Sequence, residues 1–369
     1  SKKSGGVTIS HLRFGHTPIR STYLISQANF VACHCTAYIY KYNMVQDLVP
    51  GGTFLFNTPW SVEELDEKLP GQVKRYIAEN NINFYIIDGV KIGKEIGLGN
   101  RINTVLQSAF FSLTKLIPEE EVMKLMKDAA TRSYAKKGDD VVKMNHDAID
   151  AGATAYVKVE VPESWKNCAD DVLGEAIKEN GAADAIEFVK DIQSKVNAQQ
   201  GNTIPVSVTK KYEIGQTPSG TAAFEKRGIA VDVPVWDATK CIECNQCSYV
   251  CPHAAIRPVA MTEAEAAAAP EGMQMKDLMQ MPGYKFAIVV SAYDCTGCGS
   301  CVNVCPDKVQ AITMQNFEAN ADEQKYFDYA VTLPDKEDVI EKFKLVSVKG
   351  SQFKQPLLEF SGACAGCGE

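Results

Sequence analysis

Cys241-Ile242-Glu243-Cys244-Asn245-Gln246-Cys247-Ser248-Tyr249-Val250-Cys251-Pro252 is repeated in its spacing by Cys295-Thr296-Gly297-Cys298-Gly299-Ser300-Cys301-Val302-Asn303-Val304-Cys305-Pro306. Each segment reads C-x2-C-x2-C-x3-C-P. Three thiolates at such short intervals can share one tight loop around a metal centre, and the proline ends the loop and stiffens the turn into the next segment. Val231 to Val235 and Phe286 to Val290 are apolar and β-branched, as strands leading into each loop should be. Ala254-Ala255-Ile256 and Val309-Gln310-Ala311-Ile312 come after the two Cys-Pro pairs and would pack against whatever the loops hold. The simplest alternative is structural zinc on four thiolates, but two identical four-cysteine repeats then leave their third and fourth positions unexplained.

The repeated spacing resembles that of bacterial two-cluster ferredoxins. The resemblance implies one [4Fe–4S] cluster on Cys241, Cys244, Cys247 and Cys305, and a second on Cys295, Cys298, Cys301 and Cys251. Each fourth cysteine thus crosses to the other cluster. Such clusters carry single electrons and make no bonds to an organic substrate, so the module is a wire that needs a source and a sink. His253, just after Cys251-Pro252, is a candidate hydrogen-bond donor to a cluster sulfur.

The 369 residues allow two or three domains. Lysine and arginine number 38 against 46 aspartates and glutamates, a net charge of −8 that argues against nucleic acid as the main partner. No run of 18 apolar residues exists, so no membrane span is expected. All but Cys33, Cys35 and Cys168 of the 13 cysteines lie from Cys241 onward. Tight C-x-x-C pairs in a long chain without a signal peptide suit metal-bound thiolates in a reducing cytoplasm.

The first half alternates strand and helix patterns. Strands are expected at Val7-Thr8-Ile9, Phe30 to Cys33, Thr53 to Phe56 and Ile82 to Ile87. Helices are expected from Tyr38 to Val49, from a capping box at Ser61/Glu64 to Glu79, from Ile92 to Leu116 and from Glu119 to Lys136. The alternation predicts a mostly parallel sheet covered by helices. A further helix is expected between Asp184 and Asn197, and then an extended connector from Gly201 to Gly228. Met261 to Met281 reads as a helical insertion or mobile surface loop. Beyond Ile312 the chain is charged and poor in core signals.

Phe360-Ser361-Gly362-Ala363-Cys364-Ala365-Gly366-Cys367-Gly368-Glu369 resembles the start of the thiamine-diphosphate domain in the pyruvate:ferredoxin (flavodoxin) oxidoreductase family of 2-oxoacid:ferredoxin oxidoreductases. Ser4 to Gly15, Phe30 to His34, Gly97 to Asn103 and Val141 to Asn145 resemble the same family's third domain, in the same order. The resemblance implies that Cys364 and Cys367 supply half the ligands of a third [4Fe–4S] cluster. It places Glu369 beside the thiamine pyrimidine, where a carboxylate assists tautomerisation. It also gives Lys2 or Lys3, Asn103 and Asn145 contacts with coenzyme A, whose Gly-rich phosphate loop would precede Ser1. Thiamine diphosphate and magnesium would lie mainly outside this stretch, and no residue here is assigned a catalytic role. Gly97-Leu98-Gly99-Asn100-Arg101-Ile102 lacks the third glycine of a dinucleotide fingerprint and comes after a helical pattern, so it is rejected as a nicotinamide site. Cys33-His34-Cys35 is read as buried core, and Cys168 has no role.

The fold expected is an α/β domain with a mostly parallel sheet, followed by an α+β bacterial two-cluster ferredoxin-like domain. The expected divisions are 1–155 (coenzyme A-binding), 156–230 (linker or small domain), 231–315 (two-cluster domain) and 316–369 (connector and start of the thiamine domain). The resemblance implies a section of an enzyme that converts pyruvate and coenzyme A to acetyl-CoA and CO2, passing electrons to ferredoxin or flavodoxin in anaerobic metabolism. The remaining domains or subunits, and a homodimer of the full enzyme, would be its partners. The rivals are a stand-alone ferredoxin-type electron-transfer module and an oxidoreductase for a different 2-oxo acid.

Overall fold

The computed structural model describes residues 7–20, 24–171 and 181–354. Lys2, Lys3, Cys364, Cys367 and Glu369 lie outside the described residues. The chain divides into two compact units, one of Ile9–Gly174 and a second of Glu175–Glu369 together with Ser1–Thr8.

The first unit is built on strands β1 (Ala28–Cys33), β2 (Leu48–Asn57), β3 (Asn83–Ile87) and β4 (Val157–Lys158) in that spatial order. β1, β2 and β3 run parallel, and the short β4 joins antiparallel to β3. Alternation along the strands sends residues to two separate cores. Phe54, Phe56, Phe84 and Ile86 enter one with Val73, Ile77 and Trp165. Leu55 and Ile87 enter the other with Val105, Leu106 and Ala148. A parallel sheet buried on both faces explains why β2 and β3 read as nearly unbroken apolar runs. The helices are α1 (Leu65–Lys68), α2 (Gly71–Glu79), α3 (Gly89–Ile96), α4 (Asn103–Thr114), α5 (Glu119–Tyr134) and α6 (Asp139–Gly152).

Several expectations for this unit need correction. Residues 7–9 form no strand, and Ile9 is exposed. The expected helix from Tyr38 shrinks to one 3-10 turn, Thr36–Tyr40. Its aromatic-rich sequence is a poor helix former, and Ile39 and Val45 are pinned separately in the core. β2 starts at Leu48 instead of Thr53, with a register shift between Ala28 and Phe30. Glu64 does reach back to the Ser61 N–H at 2.8 Å, but Pro70 splits the helix it opens into α1 and α2. The long helix from Ile92 also splits, because Gly97 takes a left-handed conformation (φ 95°) and ends α3. That glycine is a helix cap, in keeping with rejection of the nucleotide fingerprint. Cys33 is core as expected, whereas His34 is exposed.

The second unit opens with the expected helix, as α7 (Ala183–Phe188), a π-turn (Val189–Gln193) and α8 (Ser194–Asn197). Short turns come next, among them α9 (Val206–Thr209), instead of a wholly extended connector. Then come β5 (Asp232–Trp236), α10 (Gln246–Tyr249), β6 (Ile256–Thr262), α11 (Glu263–Ala267), β7 (Lys276–Asp277), β8 (Tyr284–Val290), α12 (Ser300–Val304) and β9 (Ile312–Asn316). β5 pairs antiparallel with β9, and β8 pairs antiparallel with both β6 and β7. The insertion is a capped element: Thr262 and Glu265 complete a capping box at the start of α11, and Met273 and Leu278 are buried. The tail beyond β9 is not poor in core residues. Helices α13 (Phe317–Asn320), α14 (Glu323–Ala330), α15 (Glu337–Phe343) and α16 (Val348–Gln352) lead Ala330, Val339, Ile340 and Phe353 into the same core as β6 and β8.

Candidate metal centre

Each cysteine loop begins just past a core strand. β5 ends at Trp236, and β8 runs out at Val290 before Ser291 to Asp294. The loops then take the same backbone path. Positive φ occurs at Glu243 (57°) and Asn245 (58°) in the first, and at Gly297 (70°) and Gly299 (75°) in the second. These are the second and fourth residues after the first cysteine of each repeat. Two left-handed residues coil the chain so that successive cysteines turn inward. Glycine does this freely and asparagine with little cost, but a glutamate needs compensation of about 1–2 kcal/mol.

Glu243 has that compensation. It is fully buried, and both carboxylate oxygens accept from the Met279 N–H at 3.1 Å. Lys349 Nζ stands 3.2 Å from one oxygen and Lys276 Nζ 3.6 Å from the other. Lys276 also donates to the Cys241 carbonyl at 2.8 Å. Sequence pattern alone did not single out Glu243, Lys276 or Lys349. The available signal was a charged residue at the position where the second repeat has Gly297.

Backbone N–H groups point at sulfur in both repeats. Glu243 N donates to Cys241 Sγ at 3.3 Å and Gly297 N to Cys295 Sγ at 3.4 Å. Ala255 N donates to Cys251 Sγ and Ala311 N to Cys305 Sγ, each at 3.3 Å. Such bonds favour negative charge on sulfur and tune the potential of any cluster the sulfur binds.

Cys241, Cys244, Cys247 and Cys305 line one cavity, with an empty volume of about 340 Å³ that opens to solvent. Ile242, Ile288, Val309 and Ile312 make up much of its apolar wall. Three of these thiols come from the first repeat and one from the second. Cys251, Cys295, Cys298 and Cys301 also lie within electrostatic reach of one another. Burial, then repulsion by Cys251, Cys301 and Cys298, pushes the Cys295 thiol up to about 12, against an opposing hydrogen bond from Gly297. Burial and the charges of Cys251 and Cys298 push Cys301 up to about 11. Cys247 is raised further still, by burial and by Cys241, Cys244 and Cys301. Crowded, buried thiols of this kind ionise only beside positive charge, which bound metal supplies.

Oδ1 of Asn245, buried near the first set, has no hydrogen-bond partner among the described residues. Burial raises the Cys241 thiol, and Glu243 and Trp236 offset part of that rise. Among the described residues no three or more His, Cys, Asp or Glu side chains gather so as to hold a single metal ion. A ring of thiols around an open volume is instead the shape that a multi-atom cluster fills. The donor set, the cavity and the sulfur-directed N–H groups therefore fit the iron–sulfur group that the spacing implies.

Elsewhere, Asn103 is exposed in the first turn of α4. Asn145 is buried in α6, where it accepts from Thr104 Oγ1 at 3.3 Å and donates to the Val141 carbonyl at 2.8 Å. Asn103 adjoins Thr104, and the Asn145 amide is engaged inside the fold between Thr104 and Val141. His253 is buried. Cys168 accepts from Arg75 through its carbonyl at 2.7 Å.

An α/β unit followed by paired cysteine loops on antiparallel ribbons defines the class as an iron–sulfur oxidoreductase section. Residues 240–309 match the 4Fe-4S dicluster domain, residues 174–230 a domain of unknown function, and residues 1–155 the family described as pyruvate ferredoxin/flavodoxin oxidoreductase. Pyruvate-flavodoxin oxidoreductase of Enterobacter agglomerans is 49% identical over 369 residues, which cover 100% of this chain and 31% of that protein. Pyruvate:ferredoxin oxidoreductase of Moorella thermoacetica is 48% identical over 372 residues, with the same coverages of 100% and 31%. Pyruvate dehydrogenase [NADP(+)] of Cryptosporidium parvum is 42% identical over 394 residues, covering 100% of this chain and 20% of that protein. Residues 1–155 thus match the pyruvate ferredoxin/flavodoxin oxidoreductase family, and the chain spans under a third of the length of these relatives.

Proposed function

We propose that this chain is the coenzyme A-binding and electron-transfer section of an enzyme that oxidatively decarboxylates pyruvate to acetyl-CoA and CO2, with ferredoxin or flavodoxin as acceptor. The observation that carries the reading is the cavity in which Cys241, Cys244 and Cys247 from one repeat meet Cys305 from the other. Pyruvate as substrate is favoured over other 2-oxo acids because it is common to the names of relatives that differ in their acceptor.

Bound [4Fe–4S] clusters would supply one-electron transfer. The chain's own residues hold and tune them. Cys241, Cys244, Cys247 and Cys305 bind the first, and Cys251, Cys295, Cys298 and Cys301 the second. Glu243, Gly297, Ala255 and Ala311 direct N–H groups at ligand sulfurs. The apolar wall of the cavity packs around the first site. Cys364 and Cys367 contribute to a third site that other parts of the enzyme complete. Asn103 serves coenzyme A, with Asn145 positioning the start of its helix through Thr104; Lys2 or Lys3 serves the same ligand, and Glu369 serves the thiamine cofactor. We place the assembly in the cytoplasm, working as a homodimer; no helix among the described residues is long and apolar enough to cross a membrane.

A viologen-coupled assay tests the reading. Coenzyme A-dependent pyruvate oxidation should occur in the full-length enzyme and be absent from residues 1–369 alone. The isolated chain should nonetheless be brown, absorb near 400 nm, and contain iron and acid-labile sulfide. Zinc in place of iron would refute the cluster assignment, and activity in the isolated chain would refute the division of labour.

A further inference from the structure

Residues 174–230 match a domain to which no function is attached, and its last residues are fastened to the second cysteine loop. Arg227 N and Gly228 N both donate to the Tyr293 carbonyl, at 3.0 and 2.8 Å. The Lys226 ammonium pairs with the Asp294 carboxylate, and the two side chains keep only 12% and 11% of their exposure. Ser291, fully buried, lies 2.6 Å from the same carboxylate and 3.0 Å from Gln324 Oε1. Gln324 Oε1 in turn accepts from Tyr293 N at 3.3 Å. Arg227 pairs with Glu225 at 3.2 Å, so this second cation of the segment carries its own counter-charge.

Close packing reinforces these bonds. Gly228 has φ +56°, and a Cβ placed there would stand 3.0 Å from the Tyr293 ring. Gly297, inside the loop, would meet the Asp232 carbonyl at 3.1 Å in the same way. Tyr293 and Asp294 immediately precede Cys295, so whatever fixes them fixes that thiol. The first loop is held from elsewhere in the chain. Its anchor is the buried anion Glu243, held by Lys276 and Lys349 from elements later in the chain.

We propose that Lys226 is a positioning residue for the second cluster: its buried pair with Asp294 sets Cys295 in place and keeps a cation beside that cluster. The stretch of unknown function thereby acts as an electrostatic clasp on one of the two sites. This rests on the reading that Cys251, Cys295, Cys298 and Cys301 hold a cluster. Removing the lysine leaves Asp294 buried without its counter-charge, which loosens the loop and makes its surroundings more negative.

The test uses the full chain loaded with iron and sulfide, as parent, Lys226→Met, Lys226→Arg and Asp294→Asn. Iron release to a ferrous chelator and the midpoint potentials from spectroscopically monitored titration are the readouts. In Lys226→Met, the iron of one cluster should be lost about 10- to 100-fold faster and the other's unchanged, the usual range when an outer partner of a metal ligand is removed. Lys226→Arg should restore most of the parent rate. The potential of that same cluster should move negative in Lys226→Met and positive in Asp294→Asn, a sign reversal that mere loosening does not produce. Uniform release from both clusters, unchanged release, or shifts of one sign in both variants would overturn the proposal. A parent chain that takes up no cluster would overturn the cluster reading itself.

Discussion

Glu243 and Lys349 meet at 3.2 Å across 106 positions of chain. The contact ties the first cysteine loop to α16, and it does not stand alone. Asn245 Nδ2 donates to the Lys349 carbonyl at 3.0 Å, and Ser248 Oγ to Gln352 Oε1 at 2.8 Å. Arg257 donates to the Lys354 carbonyl at 3.0 Å. The loop that carries three proposed ligands is therefore part of the same packed body as the C-terminal helices.

Glu243→Ala removes a buried anion from between two lysines and orphans the Met279 N–H. Breaking a buried pair in this way typically costs about 3–5 kcal/mol. Glu243→Gln keeps the hydrogen-bonding oxygen and should cost less, and Glu243→Gly should not recover stability even though glycine suits the positive φ. Urea unfolding of the four proteins orders them as parent, Gln, then Ala and Gly. An Ala variant as stable as the parent would show that the anchor is dispensable.

Phe84 tests the other unit. It is fully buried in β3, with ring centroids 5.5 Å from Phe54 and 6.4 Å from Trp165. Phe84→Ala opens a cavity that a parallel sheet covered on both faces cannot collapse, a loss of about 3–5 kcal/mol. Thermal unfolding should show the loss while iron content stays at the parent level. Loss of iron without loss of stability would contradict the placement of Phe84 in a core separate from the cysteines.

Legibility in the chain tracks the range of the interactions. The cysteine repeats, β3 and α5 were legible because their signals lie within a dozen neighbouring residues. The apolar alternation of Phe54-Leu55-Phe56 likewise marked β2, though its start at Leu48 depended on pairing with Ala28, which no local pattern encodes. Val7 to Ile9 has strand-like composition without a partner strand, and composition alone did not make it one. Glu243 and Lys226 escaped notice because each is defined by a counter-charge at least 33 positions away, as with Lys276 and Asp294. The roles of Lys2, Lys3, Asn103, Asn145 and Glu369 came from resemblance, and the buried Asn145 has a sufficient structural role in its bonds to Thr104 and Val141.

Acid should loosen the insertion at α11. Burial works against the Glu265 anion, but hydrogen bonds from Lys336 and Thr262 outweigh it and hold the carboxyl below its ordinary value. A depressed folded-state pKa contributes stability above the unfolded value, near 4.3 for a glutamate, that is lost as pH falls through the lower folded one. Stability should thus be level through neutral pH and decline below about pH 4. Glu265→Gln should flatten part of that decline, as measured by thermal unfolding between pH 3 and 7 on the scale of ordinary carboxylate titration, roughly 3 to 5. A variant with the parent's full acid limb would remove Glu265 from the account.

The exchange of fourth ligands gives the sharpest test of the site. If each repeat kept its own four cysteines, Cys305→Ser would damage the same cluster as Cys295→Ser. The cavity instead groups Cys305 with Cys241, Cys244 and Cys247. Cys305→Ser should therefore abolish the same spectroscopic signal as Cys241→Ser, and combining the two should remove no further iron, since both act on one site. Cys251→Ser should match Cys295→Ser in the same manner. Pairing Cys305→Ser with Cys251→Ser should strip both clusters on either arrangement of ligands, and so serves as the reference for complete loss. Loss of both clusters when Cys305→Ser is combined with Cys241→Ser would mean that the ligands do not cross between the repeats.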